Sequence, residues 1–89
     1  MVVQLITKTR KILANNIVYY RLKHNLSQED FAELLGTSSV YISQMENAKR
    51  NISCDYIDHI ASTLKIQPIE LLRERTPINI RRIDRKNKR

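Results

Sequence analysis

The sequence predicts an all-α fold, on three observations. One glycine and two prolines in 89 residues are too few turn signals for a β-sandwich, which punctuates its strands roughly every 8–12 residues. Hydrophobic residues make up 42% of the chain but aromatics only 6%, with no tryptophan, so the core must be built from Ile, Leu and Ala. Apolar residues recur at i, i+3, i+4 and i+7 through successive segments, which is helical spacing. A chain of this length holds one small domain with a single core.

Five helices are expected. The first runs over residues 9–23, with Leu13, Ala14, Ile17, Tyr20 and Arg21 on its inner face. His24-Asn25 ends it, because asparagine is the best substitute for glycine in a left-handed C-cap. Ser27 opens the second helix: its hydroxyl can cap the Asp30 amide and the Asp30 carboxylate can reach back, a variant of the capping box. Leu26 and Phe31 form a hydrophobic staple, and Phe31, Ala32, Leu34 and Leu35 supply the buried face. Gly36, the only glycine, then sits where the backbone must take a positive φ.

Ser38 caps the third helix, which runs to about Glu46 with Ile42 and Met45 inward and Val40 and Tyr41 at the margin. Residues 47–51 form a polar, basic loop. Ser53 caps the fourth helix, stapled by Ile52 and Ile57, with Ile57, Ile60, Ala61 and Leu64 as its core stripe. Pro68 suits the first position of a short fifth helix, which Thr76-Pro77 should stop. Residues 1–75 are therefore expected to form the domain and 76–89 a basic tail. The β-branched stretches 2–7 and 78–83 either pair as short strands or extend helices, and ordering of each fits a dimer.

The net charge of +7 suits a polyanionic partner. It is unevenly placed: Arg81, Arg82, Arg85, Lys86, Lys88 and Arg89, against Asp84 alone, account for five of those seven charges. Charge alone therefore supports a solubilising tail as readily as a nucleic-acid contact. Cys54 is alone, which excludes an intrachain disulfide. No signal peptide is evident, and the apolar runs are too short to cross a membrane, so a cytoplasmic location is expected.

Pattern carries the functional reading. Helix, short glycine-containing turn, helix is the layout of a DNA-binding helix-turn-helix. Ser39, Ser43 and Gln44 give the third helix an uncharged, hydroxyl- and amide-bearing outer face, which suits the reading of base edges. The segment Leu26-Ser-Gln-Glu-Asp-Phe-Ala-Glu-Leu-Leu-Gly-Thr-Ser-Ser-Val-Tyr-Ile-Ser-Gln-Met-Glu-Asn47 resembles the XRE/Cro/C1-type helix-turn-helix of phage repressors and bacterial regulators. The likeness spans roughly residues 13–73. The Tyr41-Ile-Ser and Lys49-Arg-Asn-Ile-Ser53 stretches are most similar to the controller proteins of restriction–modification systems. The chain departs from that pattern at Asn25, where many relatives have glycine, and at Ser38-Ser39-Val40, which lacks the Arg or Gln often used on bases.

The resemblance implies a five-helix, lambda-repressor-like domain that binds double-stranded operator DNA as a homodimer on a palindromic site and regulates transcription. Ser38, Ser39, Val40, Ser43 and Gln44 match its base-facing positions, with Val40 either resting on a thymine methyl or packing internally. Gln28, Tyr41, Asn47, Lys49, Arg50 and Asn51 match phosphate contacts, which set register rather than sequence. Arg21 and Glu46 match an internal salt bridge. Ile66, Ile69 and Leu72 are candidates for the dimer seam or ordinary core. Glu29, Asp30 and Glu33 are either solvated acids favoured by the helix dipole or, as in controllers, a contact for RNA polymerase.

Other classes fare less well. Cys54 and Asp58 share a helical face, but His59 lies about 100° away, and there is no phosphate-binding glycine loop, so neither an enzyme nor a metal or cofactor site is implied. RNA binding lacks interleaved aromatics to stack on bases. An antitoxin, or a phage or mobile-element repressor, carrying the same domain is the runner-up.

Overall fold

The computed structural model describes residues 7–76. They form four α-helices, α1 (Lys8–Lys23), α2 (Gln28–Leu35), α3 (Ser39–Glu46) and α4 (Cys54–Leu64), followed by a 3-10 helix, Pro68–Leu72. No strand occurs among the described residues. The expected strand-like or helical ends, most of the tail and its cluster of cations lie outside them.

Each α-helix begins on a hydroxyl cap. The side chains of Thr7, Ser27, Ser38 and Ser53 accept from the amides of Arg10, Asp30, Tyr41 and Tyr56, satisfying donors that have no partner inside the helix. The ends use left-handed residues. Gly36 has φ 77°, and Asn25, Ala48 and Lys65 turn at φ 58°, 60° and 60°. Nothing lies within 4 Å of a β-carbon built on Gly36, so the demand for glycine there is conformational and not steric.

α1 crosses the domain and packs on α3 and on the 3-10 helix, while α2 packs on α3 and α4. The core contains Leu13, Ile17, Tyr20, Phe31, Ala32, Leu35, Ile42, Met45, Ile60, Ala61, Leu64 and Leu71. Leu26, Ile52 and Ile57 pack against it half-buried, as staple residues do. Each fully buried large side chain contributes about 1.5–3 kcal/mol relative to exposure.

Three expectations need correction. Leu34 is not in the buried face of α2; it is 57% exposed. Phe31, Ala32 and Leu35 already define the inward arc, and at 3.6 residues per turn Leu34 stands about 110° from its centre. The fifth element is one short 3-10 helix rather than an α-helix, and it ends at Leu72, well before Thr76-Pro77. The cause is Asn16 on α1, fully buried, whose side-chain nitrogen donates to the carbonyls of Leu71 at 2.8 Å and Arg73 at 2.7 Å. An α-helix continuing through Arg73 would also require an amide from residue 77, a proline.

Asn16 anchors a wider polar cluster. Arg75 Nε donates to its oxygen at 2.8 Å, and Arg75 Nη2 donates to the Tyr20 hydroxyl at 2.6 Å and to Glu70 at 3.1 Å. The Arg75 guanidinium lies 4.5 Å from the Tyr19 ring centroid, a cation–π contact. Hydrogen bonding from Arg73, with help from Tyr20 and the charge of Arg75, holds the Glu70 carboxyl below the usual carboxylate range. The burial of Tyr20 and its bond to Glu70 push the tyrosine hydroxyl up.

Two outcomes follow. Asn16→Leu keeps the branched outline but adds volume and strands two carbonyls and one face of Arg75, so urea denaturation should show a loss of about 2–6 kcal/mol, about 1–3 for each stranded carbonyl. A carboxylate held low contributes stability that is present above its unfolded pKa and is lost as pH falls through the folded one. Glu70→Gln should therefore flatten the decline in melting temperature as pH falls below the ordinary glutamate value of 4.5, and an unchanged slope would remove Glu70 from the acid response.

Candidate nucleic-acid interface

The helix-turn-helix is α2, Gly36-Thr37-Ser38 and α3. Its geometry is set by what lies beneath α3. Ile42 and Met45 are buried in the core, which leaves Ser39, Val40, Ser43 and Gln44 on the outer side. Val40 is 65% exposed, so it is not a packing residue in the free protein. Ser38 is occupied as the N-cap through its oxygen.

Glu46 closes the inner side. It lies in the last turn of α3, where the helix dipole disfavours a negative charge, and its side chain is 1% exposed. Arg21 of α1 compensates it with two bonds, Nε to Oε2 at 2.6 Å and Nη2 to Oε1 at 3.2 Å. The third guanidinium nitrogen donates to the Leu26 carbonyl at 2.7 Å, and Gln28 Nε2 donates to Glu46 Oε1 at 3.0 Å. One buried ion pair thus ties α1, the turn before α2, the start of α2 and the end of α3. Gln28 has one N–H of its amide left for an external acceptor.

The flank after α3 is basic and exposed: Lys49, Arg50 and Asn51 reach solvent, and Asn47 folds back to donate to the Ser43 carbonyl at 2.7 Å. Arg50 is ordered by two contacts that sequence reasoning did not anticipate. Its Nε donates to Gln44 Oε1 at 2.8 Å, and its guanidinium lies 5.0 Å from the Tyr41 ring centroid. Tyr41 in turn meets Tyr56 edge-on at 5.7 Å, and Tyr56 meets His59 at 5.4 Å. His59, whose ring nitrogen reaches the Leu35 carbonyl at 2.9 Å, serves packing here. A six-residue separation across a loop offers no periodic signal for the Gln44–Arg50 pair.

The remaining residues divide. Glu29, Asp30 and Glu33 are all exposed on α2. Ile69 and Leu72 are 65% and 42% exposed, while Ile66 packs half-buried against the core, so the three do not form one outward stripe. Cys54 is exposed and free, and no cluster of three or more His, Cys, Asp or Glu with metal-site geometry occurs among the described residues. None of the described helices is long and apolar enough to cross a membrane.

Glu46→Ala leaves Arg21 buried without its counter-charge, and breaking such a pair costs about 3–5 kcal/mol. Its urea midpoint should fall sharply, whereas Glu46→Gln, which retains an acceptor for Arg21, should lose less. Equal midpoints for Glu46→Ala and the parent would show that the pair does not hold α3.

Known proteins share this helix-turn-helix. The helix-turn-helix family HTH_3 matches residues 17–71. The control protein C.SmaI of Serratia marcescens is 36% identical over 63 residues, covering 71% of this chain and 75% of that protein. The control protein C.BamHI of Bacillus amyloliquefaciens is 42% identical over 50 residues, covering 56% and 62%. Among solved structures, the restriction–modification controller C.AhdI of Aeromonas hydrophila superposes with a TM-score of 0.65 at 32% identity, covering 70% of this chain and 94% of that one. With its turn on Gly36 and its buried Arg21–Glu46 pair beneath α3, this chain belongs to the helix-turn-helix (HTH_3) family of XRE-type regulators, among relatives that are restriction–modification control proteins.

Proposed function

We propose that this protein is a sequence-specific, double-stranded DNA-binding transcription regulator that acts as a homodimer on a palindromic operator and controls a restriction–modification operon. The observation that carries the reading is α3: its inner side is fixed by Ile42, Met45 and the Arg21–Glu46 pair, and its outer side is neutral and polar beside a basic loop. A side-chain set of that kind can enter a major groove without repelling phosphate and can bond base edges.

Ser38, Ser39, Val40, Ser43 and Gln44 then face bases. Serine donates to or accepts from several edges, so its discrimination is soft, and exposed Val40 fits a thymine methyl. Gln28, Tyr41, Asn47, Lys49, Arg50 and Asn51 hold phosphates on either side, Gln28 with its remaining amide hydrogen and the free N–H groups at the start of α2. One α3 reads only a half-site, so twofold pairing is required, and exposed Ile69 and Leu72 are apolar surface for the seam. Glu29, Asp30 and Glu33, exposed on α2, are either solvated acids favoured by the helix dipole or a surface for polymerase contact. The setting is cytoplasmic, on the nucleoid.

Fluorescence anisotropy against the duplex immediately upstream of the gene, compared with a scrambled duplex at about 150 mM salt, tests the reading. Tighter binding to the native duplex by about 10³ or more is expected, and equal affinities would overturn it. The operon subtype is checked by the neighbouring genes: a methyltransferase or endonuclease is expected, and a small toxin gene would overturn that part alone.

A further inference from the structure

Gln44 is an ambidextrous group in principle. Its carboxamide offers an oxygen acceptor and two N–H donors, and adenine is read by using both, the oxygen taking the N6 hydrogen while an N–H reaches N7. The structure removes that freedom. Arg50 Nε lies 2.8 Å from Gln44 Oε1, and an arginine can only donate, so the atom facing it must be the carbonyl oxygen. The amide nitrogen is thereby turned the other way.

Arg50 is held for this from a second side. Its guanidinium sits over the Tyr41 ring at 5.0 Å, and Tyr41 is itself braced by Tyr56. The Lys49 backbone amide also donates to the main-chain carbonyl of Gln44 at 2.9 Å, which closes the loop and fixes where Arg50 leaves the backbone. Gln44 oxygen and Arg50 therefore face each other, and the groups the pair turns outward are N–H donors from the amide and the guanidinium.

Resting on the DNA-binding reading above, we propose that Arg50 is a positioning residue that fixes the polarity of Gln44, making Gln44 a donor-only reader that selects a guanine or thymine edge and rejects adenine and cytosine. In the major groove guanine presents two acceptors, N7 and O6, and thymine presents O4, whereas cytosine presents an amino group and adenine an amino group beside its N7, so one N–H can reach adenine N7 but a second outward donor then meets N6. An N–H donor beside a cationic guanidinium meets those amino groups donor to donor. Arg50 takes one lone pair of Gln44 Oε1 and turns that oxygen toward itself, whereas the hydroxyls of Ser39 and Ser43 rotate to suit either role, so Gln44 carries the sharpest discrimination on the helix.

The test is selection from a randomised duplex library at fixed salt by the full chain, Gln44→Ala, Arg50→Met and Arg50→Lys, each first checked for an unchanged melting temperature. The expected result is guanine or thymine at the base whose preference Gln44→Ala erases. Arg50→Met frees the Gln44 oxygen, so adenine should rise there by about tenfold, the scale of one bidentate base contact. Arg50→Lys, which keeps the charge but lacks the Nε–H and the planar fork, should shift the preference in the same direction.

Adenine at that base in the parent protein would overturn the proposal. So would a loss of affinity in Arg50→Met that is uniform across sequences with the preference unchanged, which is the signature of a phosphate contact only. A Gln44→Ala profile identical to the parent's would overturn it as well. No enrichment of any sequence by the parent protein would instead overturn the DNA-binding reading on which the proposal rests.

Discussion

The placement of α3 depends on one buried ion pair. An eight-residue helix with two inward apolar side chains, Ile42 and Met45, has little area with which to fix its own rotation. Isolated helices of that length are not stable, so tertiary contacts have to supply the order. Arg21 supplies it at the C-terminal turn, where the Glu46 carboxylate would otherwise stand against the dipole. Because the same guanidinium also binds the Leu26 carbonyl, and Glu46 also binds Gln28, the pair sets α3 relative to the start of α2 as well as to α1. A hydrophobic contact in that place would stabilise the domain too. It would not specify an angle, since apolar burial has no direction, whereas a bidentate Arg–carboxylate pair does.

Local chemistry made most of this fold legible. Hydroxyl caps, a left-handed Asn25, a single glycine and helical periodicity are short-range signals, and the α-helices fall within a residue or two of where those signals place them. What the sequence hid is long-range or electronic in origin. Asn16 reads as an ordinary polar residue on a helix, yet it is fully buried because two carbonyls from residues 71 and 73 need a donor. Leu34 reads as core because it is apolar, and it is surface because α2 had already filled its inward arc. Ala48 and Lys65 adopt φ near +60° with nothing in their side chains to announce it; the closure of each turn imposes it.

The candidate site shows the same division. Periodicity alone separated the inner residues of α3 from its outer ones, because the spacing of Ile42 and Met45 fixes which side faces away. Periodicity says nothing about which donor or acceptor a side chain shows to a partner. That is decided across the loop, by Arg50 against Gln44 and by the ring of Tyr41 under Arg50. An outward-facing residue can thus be named from sequence while the polarity it presents cannot. Gln44 considered alone could use both its oxygen and its amide on adenine, and Arg50 occupies the oxygen from one side.

Charge distribution explains why such preference has to be built from few groups. The net charge outside residues 81–89 is small, and α2 presents three exposed acids, so most of the chain's excess positive charge lies outside the helix-turn-helix. Weak non-specific binding raises the ratio of specific to non-specific affinity, which is the quantity that matters against a genome of competing sites. In the proposed dimer, two copies of α3, each fixed from below by its own Arg21–Glu46 pair, would obtain affinity from pairing and register and leave base choice to the few uncharged side chains on the outer face.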